Sequence, residues 1–408
     1  MTKKPLPFAR PFIGEEEEKA VLDVLRSGWI TTGKEALLFE KEFADFLAPA
    51  GGLCALAVNS ATSGLHLALE ALGVGPGDVV FVPSLTFAST AEAALYLGAE
   101  VVFVDVEPNS FNMSPKKLRL AVERCKKGLA PNGAAGPFGT PKAALPVHYG
   151  GFPCDMAAIN EVARDYGLFV VEDCAHCFPS FTNGVAAGDF GDAGVFSFYA
   201  TKTITTGEGG MIVSRNENLI KRASIMRLHG IDRPAWNRYS DVKSSWNYEI
   251  LDAGFKYNLP DVLAAIGRAQ LKRAFDLLEK RCSIAERYDR AFANERGLRA
   301  PSSCKANAWH LYPLRIKTLD NDRKKIFEKR MVLASFLQKE GIGVSVHFIP
   351  LHTMPLYKKR YNILEDALPN SMDVYSGEIS LPIWPGMTEY DVERVVDSVK
   401  SGLREIGL

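Results

Sequence analysis

The sequence predicts an α/β fold: a mostly parallel sheet with helices on its faces, followed by a smaller α+β unit. Three observations point there. Short apolar runs alternate with helix-patterned segments over the first two-thirds of the 408 residues, the signature of βαβ units. From Asp261 the pattern turns long and helical, with Ala264, Ala265, Leu271, Phe275 and Leu278 set among lysines and arginines. The length accommodates two domains at roughly 100–200 residues each, divided here as 1–260 and 261–408.

Taken in order, residues 53–58 are apolar and strand-like, and 63–72 follow with helical periodicity. Val-Val-Phe-Val over 79–82 predicts a second strand and 89–97 a helix. Residues 101–104 repeat the strand signal, and 115–124 the helix. A Gly-, Pro- and Ala-rich stretch over 126–142 reads as a surface loop. Residues 144–148 predict a strand, 156–165 a helix and 168–171 a strand. Strands over 194–198 and 210–213 and a helix over 219–227 complete the first unit. In the second, 311–316 and 343–348 read as strands, and 323–338 and 389–403 as helices.

Composition narrows the function. Hydrophobic residues make up 47% and charged residues 24%, the balance of a globular protein. The 48 basic and 48 acidic residues cancel, so a bulk attraction to nucleic acid or an anionic membrane is not expected. No run approaches the length of a membrane span. Arg10 and three prolines break the N-terminal stretch that a signal peptide would need, and the expected location is the cytoplasm. Seven scattered cysteines, an odd number, do not suggest a disulfide framework. Cys174 and Cys177 form a single Cys-x-x-Cys pair with no second pair, so no metal site is expected.

The densest chemistry lies at Val170-Val171-Glu172-Asp173-Cys174-Ala175-His176. An acidic residue ending an apolar strand faces the crevice at the carboxyl edge of an open α/β sheet, where ligands bind; a helix cap is the plainer role. Lys202 follows the apolar run 194–198 and precedes the glycine-rich Gly207-Glu208-Gly209-Gly210. Partial burial there would lower its pKa and free the amine for Schiff-base chemistry, although most lysines reach the surface. A Schiff-base lysine and a carboxylate for a pyridinium nitrogen are the pair that pyridoxal 5′-phosphate (PLP) requires. Asn59-Ser60-Ala61-Thr62-Ser63-Gly64 closes a strand and opens a helix. It suits a phosphate or an ordinary cap. Phe87, after the next strand, is placed to stack on a cofactor or to enter the core.

These segments resemble the DegT/DnrJ/EryC1/StrS family of sugar aminotransferases, of the aspartate-aminotransferase fold (PLP fold type I) with a seven-stranded sheet. The resemblance runs from Gly28-Trp29-Ile30-Thr31-Thr32-Gly33 and Phe39-Glu40 through the motifs above. It continues in residues 146–150, 254–258 and 347–352 and ends at Leu381-Pro382. Within the family, Pro83-Ser84-Leu85-Thr86, Pro146-Val147-His148-Tyr149 and Tyr257-Asn258-Leu259 are most similar to the UDP-4-amino-4-deoxy-L-arabinose synthase subfamily of lipid A modification. Tyr199 and Cys174 depart from the commoner residues at their positions.

The resemblance implies the following roles. Lys202 forms the Schiff base, Asp173 faces the pyridinium nitrogen and His176 the 3-hydroxyl. Phe87 stacks on the ring, and Ala61, Thr62 and Ser197 contact the phosphate. Asn258 reaches the phosphate of the neighbouring subunit, which implies a homodimer with shared sites. Trp29, Thr31, Thr32, His229, His347 and His352 are candidates for the substrate. The implied reaction carries an amino group from glutamate, releasing 2-oxoglutarate, to a nucleotide-linked keto sugar. A UDP-4-keto-pentose is the first candidate and another UDP- or dTDP-keto-hexose the alternative. A PLP-dependent sugar dehydratase of this family would carry His at position 202, and a non-catalytic PLP- or sugar-binding regulator would lose Asp173 or Lys202.

Overall fold

The computed structural model describes residues 4–108, 110–130, 139–232, 248–302 and 304–408. Residues 131–138, the middle of the expected loop over 126–142, lie outside them.

Two helices come first, α1 (Glu15–Ser27) and α2 (Lys34–Leu47). Strands and helices then alternate: β1 (Cys54–Val58), α3 (Ala61–Ala71), β2 (Asp78–Pro83), α4 (Ala88–Tyr96), β3 (Glu100–Val104), α5 (Pro115–Lys126), β4 (Thr140–Ala144), α6 (Met156–Tyr166) and β5 (Phe169–Asp173). A short hairpin, β6 (Phe181–Thr182) and β7 (Val185–Ala186), precedes β8 (Ala193–Ser197), β9 (Gly210–Ser214) and α7 (Glu217–Met226). One seven-stranded sheet forms in the order β1-β9-β8-β5-β4-β2-β3. The pairs from β3 across to β8 are parallel, and β9 runs antiparallel to both its neighbours.

Helices on both faces explain the unbroken apolar runs. In β2, Val80 and Val82 enter the core on one face with Leu65 and Leu69 of α3. Val79 and Phe81 enter the other with Leu118 of α5 and Ile159 of α6. Gly64 lets α3 lie close on the sheet, since a Cβ there would stand 2.7 Å from a Val195 methyl.

The chain continues through α8 (Asp261–Lys272) and α9 (Ala274–Phe292) to β10 (Leu298–Arg299), β11 (Tyr312–Ile316) and α10 (Arg323–Lys339). It closes with α11 (Pro355–Tyr361), α12 (Pro369–Gly377), β12 (Glu378–Leu381) and α13 (Glu389–Glu405). The strands β10-β11-β12 form an antiparallel sheet over their own core, with Leu314, Leu333, Ile379 and Val395.

Three expectations shift. The strand expected over 144–148 ends at Ala144 and starts at Thr140; beyond it the chain leaves the ladder, and only Val147 bridges Asp173. Residues 343–348 form no strand, because pairing there is confined to the single bridge of Ser345 with Ser380, that of Leu6 with Ile342 lying just before it. The loop expected over 126–142 gives its ends to α5 and β4.

Candidate active site

The carboxyl ends of β5 and β8 and the N-terminus of α3 meet at a cavity of about 420 Å³, within the usual size of small-ligand sites. Asp173 and Lys202 both line it.

Asp173 ends β5 and is buried. Its Oδ2 accepts the Thr90 hydroxyl at 2.8 Å and its Oδ1 the Ala175 N–H at 3.1 Å. Thr86 Oγ1 lies 2.8 Å from Thr90 Oγ1. Thr90 spends its proton on the carboxylate, so Thr86 donates to Thr90. Burial raises the Asp173 pKa against these donors and the Lys202 charge. Among the described residues no cation pairs with it directly, so a desolvated carboxylate is oriented toward the cavity without a counter-ion. A protonated pyridine nitrogen would satisfy that carboxylate.

Lys202 follows β8 in a tight turn, its N–H donating to the Tyr199 carbonyl at 2.9 Å. The side chain is half-buried, and burial pushes its pKa down to about 8, against the pull of Asp173. A large share of neutral amine is therefore present near neutral pH, as a nucleophile or base requires.

Ser60 caps α3 through its hydroxyl, which takes the Ser63 N–H at 3.1 Å. This leaves the N–H groups of Ala61 and Thr62, at the positive end of the helix, for an anion. The cradle is tight: a Cβ on Gly210 would stand 2.7 Å from the Ala61 nitrogen. Ser197 lines the same side. Phe87 holds its ring 63% exposed at the cavity rim, a stacking platform rather than a core residue.

His176 is buried, and its Nδ1 accepts the Gly150 N–H at 3.2 Å. The proton of the neutral ring therefore sits on Nε2. Burial, reinforced by Lys202 and His347, keeps its pKa well below the usual histidine value. His310 packs beside it with ring centroids 4.4 Å apart. Its Nδ1 is buried without a partner among the described residues.

A family model for the DegT/DnrJ/EryC1/StrS aminotransferases matches residues 11–400. The chain belongs to that family. It is 43% identical over 400 residues to the spore coat polysaccharide biosynthesis protein SpsC of Bacillus subtilis, covering 97% of this chain and 96% of SpsC. A Streptococcus pneumoniae protein described as a sugar aminotransferase, solved in its PLP form, superposes with a TM-score of 0.85 at 28% identity, covering 98% of this chain and 99% of that one. Helicobacter pylori PseC, an aminotransferase involved in the biosynthesis of pseudoaminic acid, does so with a TM-score of 0.85 at 28% identity, over 98% and 100% of the two chains. The protein is thus a PLP-dependent sugar aminotransferase of fold type I.

Of the residues singled out in the sequence, the cavity brings together Lys202, Asp173, His176, Ala61, Thr62, Phe87, Ser197 and His347. Asn258 and Thr32 lie elsewhere, joined by a 2.6 Å hydrogen bond, in a second cavity with Glu40 and Arg227. Trp29 donates from Nε1 to the Thr32 carbonyl at 3.3 Å, and the Thr31 carbonyl receives the Asp261 N–H at 3.2 Å. His229 is exposed, with positive φ, on the turn after α7. His352 is outside the cavity too. It is buried between Ser84, 2.6 Å from its Nδ1, and the Glu365 carbonyl, 2.9 Å from its Nε2, and it joins the 351–353 turn to the end of β2.

Sequence reading missed Thr86, Thr90, His310, Glu208 and Phe348. Thr90 had a signal, a Thr-x-x-x-Thr spacing that runs from Thr86, just before Phe87, into the first turn of α4. His310 had none, being distant in sequence from every motif. Glu172, beside Asp173, turns away from the cavity. It accepts N–H groups from Gly188, Phe190 and Gly191 and lies 2.9 Å from His148 Nε2, fixing the loop that leads to β8. Among the described residues no helix is long and apolar enough to cross a membrane.

Proposed function

We propose that the chain transfers the amino group of glutamate to the keto carbon of a nucleotide-linked sugar, producing an amino sugar for a surface polysaccharide. A UDP-4-keto-pentose, which would yield UDP-4-amino-4-deoxy-L-arabinose, is the first substrate to test. The observation that carries the reading is the pairing of Asp173 and Lys202 at one cavity; the likeness to SpsC supports the polysaccharide setting.

Bound PLP supplies a carbonyl for the incoming amine and a ring that takes up the electron pair left when a Cα proton departs. With the cofactor bound, the Lys202 Nζ would take that Cα proton as base and, as acid, deliver it to the cofactor's former carbonyl carbon. Asp173, held in line by its two donors, would keep a proton on the ring nitrogen. His176 would offer its Nε2–H to the ring hydroxyl. Ala61, Thr62 and Ser197 would hold the phosphate. When the sugar enters, the same Lys202 proton transfer runs in reverse.

The reading includes a homodimer with shared sites. Asn258 and Thr32 turn away from their own chain's cavity. Ile13, Leu22, Ile30 and Leu37 leave apolar surface exposed around the N-terminal helices, and Ile13 and Leu22 share a groove with Gly207, beside the Lys202 turn.

The test is a half-reaction followed by visible absorbance. Glutamate should bleach the cofactor band of the purified holoenzyme, and the correct keto sugar should restore it. A UDP-4-keto-pentose that fails where a dTDP- or UDP-keto-hexose succeeds would replace the pentose; bleaching by no amino donor would refute the transaminase reading.

A further inference from the structure

His347 lines the cavity near Lys202, and behind it stand two residues that no part of the reaction above uses. Glu378 and Ser380 lie two apart on β12, hence on one face of the strand. Both are buried. The Ser380 hydroxyl is 2.5 Å from Glu378 Oε1 and 2.9 Å from His347 Nδ1. Glu378 Oε2 accepts the His347 backbone N–H at 2.8 Å. The ring is further fixed by Phe8, stacked at 5.5 Å between centroids, and by the Tyr149 hydroxyl on the His347 carbonyl.

One proton on Ser380 allows only two complete arrangements. With Glu378 ionised, Ser380 donates to Oε1 and accepts from Nδ1–H, which leaves His347 Nε2 bare. With Glu378 protonated on Oε1, that proton goes to Ser380 and the serine proton to Nδ1, which places a hydrogen on Nε2. The imidazole is neutral in both. We propose that Glu378 and Ser380 are positioning residues that set, through this relay, whether His347 offers the cavity an N–H donor or a bare nitrogen. The net change is loss of one proton, which leaves from Nε2 into the cavity as the others shift one place toward it. A buried carboxyl thereby titrates without its own path to water.

The surroundings favour the donor state near neutral pH. Burial pushes the Glu378 pKa up to about 8, ahead of the opposing effects of Ser380, the His347 N–H, Arg330 of α10 and Arg315, its register partner on β11. Tyr149 also faces this pair. On the cavity side, burial and then Lys202 hold the His347 pKa down to about 4, so the ring stays neutral; His176 and His310 also lie within its electrostatic reach. If the sugar reading holds, both substrates bring acceptor oxygens, a carboxylate and a keto oxygen. The donor state would receive them, and the bare nitrogen would repel them.

The tautomer is measurable without any substrate. Long-range 1H–15N spectra of [15N]histidine-labelled holoenzyme, with His347 assigned by H347Q, should show Nε2 passing from protonated to bare as pH rises from about 6.5 to 9.5. The midpoint is expected near 8. E378Q should hold the protonated form throughout, because its amide always donates to Ser380. S380A should abolish the coupled step and S380T restore it. In kinetics, KM for the substrate that meets His347 should rise about tenfold above the midpoint, the weight of one hydrogen bond, with E378Q flat. A His347 tautomer that does not change in the wild type, or a step that survives in E378Q, overturns the relay. A step observed while every keto sugar fails would uphold the relay and refute the sugar reading instead.

Discussion

Replacing Thr90 with Val tests the Asp173 arrangement with little change of shape. The hydroxyl at 2.8 Å is one of two donors on the buried carboxylate, the other being the Ala175 N–H at 3.1 Å. A hydrogen bond to a charged group is worth about 1.5–3 kcal/mol. At about 1.4 kcal/mol per pKa unit, its loss raises the Asp173 pKa by roughly one to two units. The carboxylate already sits above its ordinary value because of burial. A raised acid adds stability that is full below the unfolded pKa and is lost as pH rises through the folded one. T90V should therefore widen the loss at neutral pH in cofactor-free protein. In holoenzyme the weakened partner should cut kcat/KM for glutamate by about 10- to 150-fold. Stopped-flow absorbance of the half-reaction measures it. T90S keeps the hydroxyl and should recover most of the rate. T86V removes only a neutral bond one step back, worth about 0.5–1.5 kcal/mol, and should cost less. A T90V enzyme within twofold of wild type, or one no worse than T86V, would refute the argument.

K202A should eliminate turnover and the visible band of the lysine-linked cofactor, read by absorbance. In cofactor-free protein, Lys202 should be modified by an amine-selective reagent with a rate that rises as pH climbs through about 8. Its depressed pKa means that stability grows with pH between that value and the ordinary lysine range, which denaturant titration at two pH values will show. G210A should drive a Cβ to 2.7 Å from the Ala61 nitrogen and weaken cofactor retention, measured by PLP release on dialysis. E40A should leave the largely buried Arg227 guanidinium, which pairs with Glu40 at 2.6 Å, with the Ala57 carbonyl but no counter-ion, lowering stability by about 3–5 kcal/mol in a denaturant melt.

Much of this was legible in the chain, for physical reasons that differ by element. The doubly covered strands betray themselves as unbroken apolar runs, and Val79 to Val82 is the clearest case. Asp173 and Lys202 were readable because one ends such a run and the other sits in the turn just after one. The cavity edge at Leu145 to Val147 misled, because burial beside a ligand site looks in sequence like burial inside a ladder. Helices α1 and α2 carried usable signals that went unread. Four glutamates open α1, and Phe39, Phe43 and Leu47 recur every four residues along α2. The Glu378–Ser380–His347 contact depends on β12 meeting an extended segment from elsewhere in the chain, and His310 reaches His176 only through the folded topology. No local pattern encodes either meeting.

Helix α2 has no capping side chain of its own, since Gly33 precedes it. Its first amides are satisfied by Asp261, which accepts from Gly33 at 2.7 Å, Glu35 at 3.1 Å and Ala36 at 3.0 Å, the last across 225 residues of chain. During synthesis, then, this helix stays unfinished until well over half of the protein has left the ribosome. A fragment that stops at residue 260 would contain every strand of the large sheet yet lack the carboxylate that closes one of its helices. Mixed with a second fragment beginning at Asp261, it should regain that closure, so the two pieces are expected to assemble rather than fold as independent modules.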